Sequence, residues 1–419
     1  MKADVVVIGA GASGMMASYF AAKQGASVLL LDKNEKTGRK LRITGKGRCN
    51  LTNACEVREV LNHIPGDGRF LYSALTAFSP EATMLFFEEH GLPLKIERGK
   101  RVFPQSDNAN DVAGTLEMLC RRSGVQIRRE EVKGISVRNG AVAGVKLEGT
   151  SVFCSACIIC TGGLSYPLTG STGDGYRFAK SLGHTVSELR PSLVPLESSD
   201  PVCARLQGLT LKNVGLKAYE NNKLVFREQG EMLFAHFGVT GPLVLSASAN
   251  MRKFGEASYR LEIDLKPALD VQTLDRRILS DLQKYQNKSL RNALTDLLPH
   301  VLIPEVIRLS GAEEDQKANT VTRETRNAIL RVLKAFPLEI SGTRPYAEAI
   351  VTAGGVRTKE INPRTMQSKL VEGLYFAGEV LDLDAYTGGF NLQIAWSTGR
   401  TAGISAGEYS QNREQDGKT

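Results

Sequence analysis

The 419-residue chain lacks several features that would place it in a specialised class of protein. It has only seven cysteines, a small and odd number, which argues against the disulfide framework of a secreted protein and favours a reducing cytoplasm. It has no run of about twenty apolar residues, so we expect no membrane-spanning helix and no targeting segment. The net charge is +8, but the basic residues are dispersed and do not alternate with aromatic residues. This pattern disfavours nucleic-acid binding and leaves an anionic cofactor or a small-molecule substrate as the expected partner.

What the chain does contain is a nucleotide-binding pattern at its N-terminus. The apolar run 5–8 predicts a buried strand, and it is followed by three glycines at the dinucleotide-binding spacing, Gly9, Gly11 and Gly14. Gly9 permits a tight turn, Gly11 lets a pyrophosphate approach the backbone, and Gly14 permits close packing of the next helix. A second predicted strand ends in Asp32, whose carboxylate can accept a hydrogen bond from a ribose hydroxyl. The combination predicts a site for an adenine dinucleotide.

Two C-terminal segments identify the dinucleotide. A short apolar strand ends at Gly378 and Glu379, and a helix opens after Gly388 and Gly389. Flavoproteins use such segments to hold the flavin end of FAD, because the carboxylate accepts from ribityl hydroxyls and the positive helix N-terminus favours the negative charge of reduced flavin. NAD needs no such segment. The sequence therefore predicts FAD bound by both ends of one chain.

The order of patterns predicts an α/β fold with an insertion between the two halves of a Rossmann FAD domain. The expected parts are residues 1–190 and 344–410 for the FAD domain, 191–268 for a β-rich insert, 269–343 for a helical insert and 411–419 for a disordered polar tail. Within the first part, residues 33–53 are expected to form a polar loop that lines the nucleotide site, and 132–152 a β-meander.

Several blocks resemble one known family. Residues 38–53, 161–175, 236–242 and 378–393 are similar to the BaiN/YhiN-like flavoproteins, FAD-dependent oxidoreductases of bacteria. The resemblance extends to about residue 407 and implies a glutathione-reductase-like FAD domain interrupted by a β-rich and a helical domain. It also implies that NADH or NADPH reduces the flavin, whose N5 passes hydride to an electron-poor carbon–carbon double bond of a small molecule.

The predicted cofactor-binding residues come from four segments. They are Gly9, Gly11, Ala12, Ser13, Gly14, Asp32 and Lys33; Arg39, Lys40, Thr44, Gly45, Lys46, Arg48 and Asn50; Thr161, Gly162 and Gly163; and Gly378, Glu379, Gly388, Gly389, Phe390 and Asn391. At least one of the basic residues of the second segment would approach the pyrophosphate or an anionic substrate; the alternative is a solvated basic loop. Asn50, together with Thr52, would hydrogen-bond the isoalloxazine edge.

Three residues are candidates for the proton donor, because each lies in or beside a block expected near the flavin: Tyr166, His236 and Tyr386. Each also has a purely structural interpretation. Tyr166 could be a packing residue beside Pro167, and His236 could be a core histidine bonded to backbone. Tyr386 could simply cap the loop before Thr387.

Cys154, Cys157 and Cys160 have the spacing of a metal or redox cluster. On a strand, however, this spacing places neighbours on opposite faces, so we predict buried free thiols and no metal site.

Two other functions stay open. One is a flavoprotein that acts on RNA, similar in logic to the tRNA-modifying flavoproteins and favoured by a pI near 9.0. The other is an oxidase or dehydrogenase that uses oxygen or quinone. No second Gly-x-Gly-x-x-Gly block follows a strand elsewhere in the sequence, so we expect no dedicated NAD(P)H domain, and a nicotinamide would bind transiently over the flavin or not at all.

Overall fold

The structure, a computed structural model, describes residues 1–416 and divides the chain into two compact units. One unit contains Met1–Ser192 and the residues from Tyr346 onward, and the other contains Leu193–Pro345. None of the helices within residues 1–416 is both long and apolar enough to cross a membrane.

The first unit is built on a five-stranded sheet in which neighbouring strands run parallel. Across the sheet the strands are Leu374–Phe376, Ala156–Ile159, Val5–Ile8, Val28–Asp32 and Gln126–Arg129. The middle strands are almost wholly apolar and buried, as expected where helices cover both faces of a parallel sheet. Both ends of the chain contribute strands to this sheet, which confirms the predicted Rossmann-type α/β fold.

Helices and small antiparallel sheets complete this unit. The helices are Ala12–Lys23, Arg39–Ile43, Val57–Asn62, Tyr72–Ala77, Pro80–Glu89, Ala109–Arg122, Asp174–Ser181 and Phe390–Asp416. The small sheets pair Thr52–Asn53, Arg101–Pro104 and Leu94–Glu97; Gly134–Arg138, Ala141–Lys146 and Ser151–Phe153; and Arg190–Ser192 with Val351–Ala353. The predicted β-meander is confirmed. The expected loop at 33–53 is wrong in part, because Arg39–Ile43 forms a short helix that buries Leu41.

Glycines on the last helix let it lie directly against the first helix. They recur at every fourth position, Gly399, Gly403 and Gly407, and so share one face. A Cβ on Gly403 would lie 2.3 Å from the carbonyl oxygen of Ala17, and one on Gly399 would lie 2.5 Å from that of Ser13. The close backbone contact fixes the first helix, and with it the glycine turn that precedes it.

The second unit is built on a seven-stranded antiparallel sheet. Its strands in spatial order are Phe336–Ile340, Tyr259–Asp264, Thr210–Glu220, Lys223–Ala235, Gly238–Thr240, Leu196–Glu197 and Gly342–Thr343. Its helices are Val202–Arg205, Pro242–Ser248, Val271–Lys284, Leu290–Ala293, Ile303–Leu309 and Arg323–Lys334. The segments predicted as a β-rich and a helical insert meet in one sheet here, because Phe336–Ile340 pairs with Tyr259–Asp264.

The end of the last helix differs from the expected disordered tail. The helix continues to Asp416, so residues 411–416 are helical, while 417–419 lie outside the described residues. Contacts just before this stretch favour the continuation: the Tyr409 hydroxyl donates to Glu372 Oε1 at 2.9 Å, and Ser410 is buried.

The three closely spaced cysteines are buried free thiols, as predicted. Burial raises the pKa of Cys154 and of Cys160 to about 12, so both stay protonated near neutral pH.

Candidate functional site

A cleft in the first unit lies where the parallel strands Val5–Ile8, Val28–Asp32 and Ala156–Ile159 end, the usual place for a ligand in such a sheet. The predicted cofactor residues that line it are Gly9, Gly11, Ala12, Ser13, Asp32, Lys33, Arg39, Lys40, Thr44, Thr161, Gly162, Glu379 and Asn391. The other predicted residues do not line it: Gly14, Gly45, Lys46, Arg48, Asn50, Gly163, Gly378, Gly388, Gly389 and Phe390. The structure thus brings all four predicted segments to one cleft.

The three glycines of the N-terminal turn differ in what surrounds them. Gly9 has φ +100°, and a Cβ on it would lie 2.5 Å from the carbonyl oxygen of Cys160. A Cβ on Gly14 would lie 1.8 Å from the carbonyl oxygen of Gly9, so that helix and strand could not pack. Gly11 has φ −82° and ψ −166°, which any residue adopts, and its Cβ would meet no protein atom within 4 Å. Protein packing therefore explains Gly9 and Gly14, whereas Gly11 leaves open space in the cleft.

Asp32 is held against this glycine turn. Its Oδ2 accepts from the backbone N–H of Ala10 at 2.6 Å, and its Oδ1 accepts from the backbone N–H and the side-chain Nδ2 of Asn34 at 2.8 and 2.9 Å. These bonds fix the carboxylate at the edge of the cleft. The hydrogen bond from a ribose hydroxyl to this carboxylate stays a prediction, for which the position of Asp32 at the end of the strand is suitable.

The predicted basic residues have different partners. Lys33 is paired with Asp174 at 2.6 Å, and Arg48 is paired with Glu97 and Asp107. Arg48 is therefore neutralised by these carboxylates and does not line the cleft, so the predicted approach of at least one of these basic residues to phosphate falls to the others. Lys46 is exposed and does not line the cleft.

Among the predicted basic residues that line the cleft, Arg39 is the one whose charge has no carboxylate partner in the described part of the chain, since Lys33 and Lys40 are both paired. It lines the cleft, is exposed, and donates to Asn34 Oδ1 at 3.0 Å. Within residues 1–416 it has no carboxylate partner. Its remaining N–H groups can therefore bind an anion.

Glu379 is the centre of a hydrogen-bond network on the cleft wall. Its Oε2 accepts from Lys40 Nζ at 2.7 Å, and its Oε1 accepts from Ser165 Oγ and from the Thr352 backbone N–H, each at 2.9 Å. Lys40 also donates to Ser165 at 2.6 Å. The side chains of Lys40 and Glu379 are only 25% and 19% exposed, so the ion pair is weakly screened. The network joins four separate chain segments and fixes the carboxylate predicted to bind the ribityl chain.

The start of the last helix is shaped by residues predicted to touch the flavin directly. Gly389 has φ +98°, and a Cβ on it would lie 2.4 Å from the carbonyl oxygen of Thr52. The Asn50 amide is oriented so that its nitrogen donates to backbone carbonyls and its oxygen accepts from the Gly389 N–H at 3.1 Å. The fully buried Thr52 donates to Gln393 Oε1 at 2.5 Å, so its hydroxyl hydrogen is already used within the protein, and its contact with the isoalloxazine edge stays a prediction. Asn391 donates to the Ala385 carbonyl at 2.6 Å and holds the preceding loop.

Two buried side-chain oxygens in these segments have no hydrogen-bond partner, Thr161 Oγ1 and Asn53 Oδ1. Thr161 lines the cleft, and Asn53 donates through Nδ2 to the Gly388 carbonyl at 3.1 Å. Unpaired buried polar atoms are costly, and a polar ligand in the cleft would satisfy the one that lines it, Thr161 Oγ1. Together with the open space at Gly11 and the unpaired charge of Arg39, this oxygen fits an anionic dinucleotide of the FAD type.

None of the three candidate proton donors lines the cleft. His236 lies in the second unit and is exposed, so its interpretation as a core histidine is wrong. Tyr166 has φ +51° and donates its backbone N–H to the Tyr346 carbonyl at 3.2 Å. Tyr386 is partly buried and donates its backbone N–H to the His63 carbonyl at 2.9 Å.

Sequence reasoning missed Asn34, Ser165 and Thr352. Ser165 and Thr352 act through Glu379, and Asn34 links Asp32 to Arg39. A partial signal existed for Ser165, which lies in the block 161–175. Thr352 precedes the glycine pair at 354–355, but nothing local indicates that its backbone meets Glu379.

Comparison with known proteins adds a family and close relatives. The profile of the family described as "HI0933-like protein Rossmann domain" matches residues 3–405. The chain is 32% identical over 409 residues to a 3-dehydro-bile acid delta(4,6)-reductase of Clostridium scindens, covering 96% of this chain and 98% of that protein. It is 34% identical over 397 residues to a ribosomal RNA dihydrouridine synthase of Escherichia coli, covering 94% and 96%.

A solved structure shares the fold across the whole chain. The 3-ketosteroid delta1-dehydrogenase of Sterolibacterium denitrificans, in complex with 1,4-androstadiene-3,17-dione, superposes with a TM-score of 0.52 over 97% of this chain and 99% of that one. The identity is 12%, so this match concerns the fold alone.

Proposed function

We propose that this protein, an FAD-dependent oxidoreductase that belongs to the HI0933-like family of FAD-dependent Rossmann proteins, reduces a carbon–carbon double bond conjugated to a carbonyl group. The electrons come from NADH or NADPH, and the acceptor is a small molecule.

The full-length similarity to two relatives carries this proposal. One relative is named for reduction at positions 4 and 6 of a 3-dehydro bile acid, and the other for the formation of dihydrouridine. In chemical terms, both names describe the addition of hydrogen to a double bond conjugated to a carbonyl group. The two names share a bond change but not a substrate. They therefore support the reduction of a conjugated double bond more strongly than they support either substrate for this chain.

The residues of the cleft suit the cofactor that this chemistry needs. When bound, FAD supplies the hydride-transfer chemistry. The backbone at Gly11 and the start of the first helix would bind the pyrophosphate, and Asp32 would bind the adenosine ribose. Glu379, held by Lys40 and Ser165, would accept from the ribityl hydroxyls.

The architecture bears on how a nicotinamide would bind. The second unit is built on an antiparallel sheet, and the sequence has no second Gly-x-Gly-x-x-Gly pattern after a strand. NADH or NADPH would therefore enter the FAD cleft for the time of electron transfer instead of occupying a domain of its own.

A panel of acceptors tests the proposal. The FAD-loaded protein is incubated without oxygen with NADH or NADPH and either 2-cyclohexen-1-one, a 4-en-3-one steroid or the unconjugated alkene cyclohexene. We expect mass spectrometry to show saturation of conjugated acceptors alone, and no product with the Gly11→Val variant. Failure of every conjugated acceptor, with NAD(P)H consumed only when oxygen is admitted, would favour the oxidase alternative.

A second candidate acceptor is the uracil ring of RNA. It is favoured by the similarity to the dihydrouridine synthase and by a pI near 9.0. Nucleoside mass spectrometry of ribosomal RNA that lacks dihydrouridine, after incubation with the protein and NADPH, distinguishes the two acceptors. Formation of dihydrouridine without turnover of any small enone would replace the small-molecule acceptor and keep the bond chemistry.

A further inference from the structure

His63 is a histidine that the sequence patterns do not mark, and its ring has one nitrogen fixed and one free. It follows the helix Val57–Asn62, and its Nδ1 lies 2.7 Å from the carbonyl oxygen of Glu59. A carbonyl oxygen can only accept, so Nδ1 carries the hydrogen in this bond. Within residues 1–416, Nε2 of His63 has no hydrogen-bond partner.

The ring of His63 is held by the segment that opens the last helix. Phe390, directly after Gly389, stacks on it with ring centroids 4.2 Å apart and an interplanar angle of 19°. The Tyr386 ring meets it edge-on at 6.0 Å, and the Tyr386 backbone N–H donates to the His63 carbonyl at 2.9 Å. Phe390 thus covers one face of the ring and Nδ1 is bonded, which leaves Nε2 for a ligand. His63 does not line the cleft described above; it lies against Phe390, in the segment expected to bind the flavin.

His90 shows that the local helix-end geometry alone does not produce this arrangement. It also follows a helix, Pro80–Glu89, and its Nδ1 lies 2.7 Å from the carbonyl oxygen of Phe86. Its Nε2, however, lies 3.3 Å from the Tyr19 hydroxyl, inside an aromatic cluster. Both histidines thus bond a backbone carbonyl through Nδ1, but Nε2 has a partner in His90 and is free in His63.

The other three of the five histidines have different surroundings. His184 is buried, with Nδ1 at 2.9 Å from Glu360 and Nε2 at 2.8 Å from Ser368. His236 and His300 are exposed residues of the second unit. His63 is therefore the histidine of the first unit that combines a fixed ring with a free nitrogen.

We propose that His63 is the proton donor in substrate reduction, an inference that rests on the function proposed above. When the substrate accepts hydride at the carbon β to its carbonyl, the electron pair of the double bond moves toward the carbonyl and gives an enolate. The Nε2–H bond of protonated His63 then breaks, and its proton forms the new C–H bond at the α carbon. Water returns a proton to Nε2. The product gains one hydride and one proton, and NADH or NADPH is the reductant.

The test separates the two halves of the reaction. His63→Phe keeps an aromatic ring against Phe390 and removes both nitrogens, while His90→Phe is the matched control. For each protein, FAD content, the rate of flavin reduction by NADPH, and the rate of anaerobic reoxidation by 2-cyclohexen-1-one are measured. We expect His63→Phe to keep FAD and its reduction rate, and to lose about 10²–10⁴-fold in reoxidation rate. Added imidazole should restore part of that rate, and His90→Phe should match the wild type.

The outcomes distinguish the proton donor from the function on which it rests. A wild-type protein whose reduced flavin is reoxidised neither by 2-cyclohexen-1-one nor by any other conjugated acceptor of the panel contradicts the proposed function, and the role of His63 with it. Wild-type reoxidation that is unchanged in His63→Phe overturns the role of His63 alone. If His63→Phe binds no FAD, His63→Gln decides, because an amide keeps polarity but cannot supply the proton. Full speed in that variant overturns the proposal, whereas slow reoxidation that imidazole rescues supports it.

Discussion

Replacing Gly11 by alanine is expected to weaken FAD binding while leaving the stability of the apoprotein nearly unchanged. The backbone at Gly11 has φ −82° and ψ −166°, which alanine adopts without strain, and the new methyl group meets no protein atom within 4 Å. Two small effects oppose each other in the folding free energy. The loss of flexibility in the unfolded chain stabilises by about 0.4–1 kcal/mol, and the poorer helix N-cap costs about 0.5 kcal/mol.

The effect on the cofactor is much larger. A methyl group at Gly11 occupies the space through which a pyrophosphate would reach the backbone N–H groups. Charge-assisted hydrogen bonds of this kind contribute about 1.5–3 kcal/mol each. Loss of two of them costs about 3–6 kcal/mol, which raises the Kd for FAD by about 10²–10⁴-fold.

The measurement compares Gly11→Ala with Gly14→Ala. Flavin titration of the apoprotein gives the Kd, and chemical denaturation gives the free energy of unfolding. A Cβ at Gly14 would lie 1.8 Å from the carbonyl oxygen of Gly9, so we expect that variant to lose about 3 kcal/mol of stability. Wild-type FAD affinity in Gly11→Ala would refute the assignment of the pyrophosphate site. Destabilisation equal to that of Gly14→Ala would show that the space at Gly11 serves packing.

Three further predictions address other parts of the first unit. Glu379→Gln leaves Lys40 without its anionic partner. We expect chemical denaturation to show a loss of about 1–3 kcal/mol of stability, and flavin titration to show weaker FAD binding. An unchanged stability and an unchanged affinity would contradict the role of the ion pair. Gly403→Val forces a side chain against the Ala17 carbonyl oxygen, so we expect a lower melting temperature of the apoprotein. An unchanged melting temperature would show that the two helices can move apart without cost. Burial lowers the pKa of His184 in the folded protein. Below about pH 6.5 the unfolded chain therefore binds a proton at this histidine more readily than the folded protein does, and the free energy of unfolding decreases as the pH is lowered. Denaturation curves between pH 5 and 8 should show a weaker decline in His184→Gln, and an identical decline would exclude this histidine as a cause.

The part of the site that could be predicted depends on local chemistry. The N-terminal nucleotide-binding pattern consists of a strand, three glycines and an acidic residue at the end of the next strand. All of these lie within one short segment, so the sequence alone reveals them. Gly9, Gly11 and Asp32 accordingly line the cleft, and Glu379 reaches it from the other end of the chain. The parallel sheet was also predictable, because fully apolar strands that alternate with helices have few other ways to be buried.

The rest depends on contacts between distant segments. Arg48 is neutralised by Glu97 and Asp107, which reach it only because Leu94–Glu97 and Arg101–Pro104 form a small sheet beside it. Composition indicates a basic loop there but not its partners.

His63 was missed for a similar reason. Its surroundings come from Tyr386 and Phe390, more than three hundred positions along the chain. A single histidine after a short helix gives no sign of such a contact.

Anaerobic stopped-flow absorbance of the FAD-loaded protein tests the central claim most directly, because it follows the flavin through both halves of the reaction. NADH or NADPH is mixed first, and 2-cyclohexen-1-one or cyclohexene is mixed once the flavin is reduced. We expect a nicotinamide to bleach the oxidised-flavin band, and the conjugated enone, but not cyclohexene, to restore it. A flavin that neither nicotinamide bleaches, or a reduced flavin that no conjugated acceptor reoxidises, would contradict the claim.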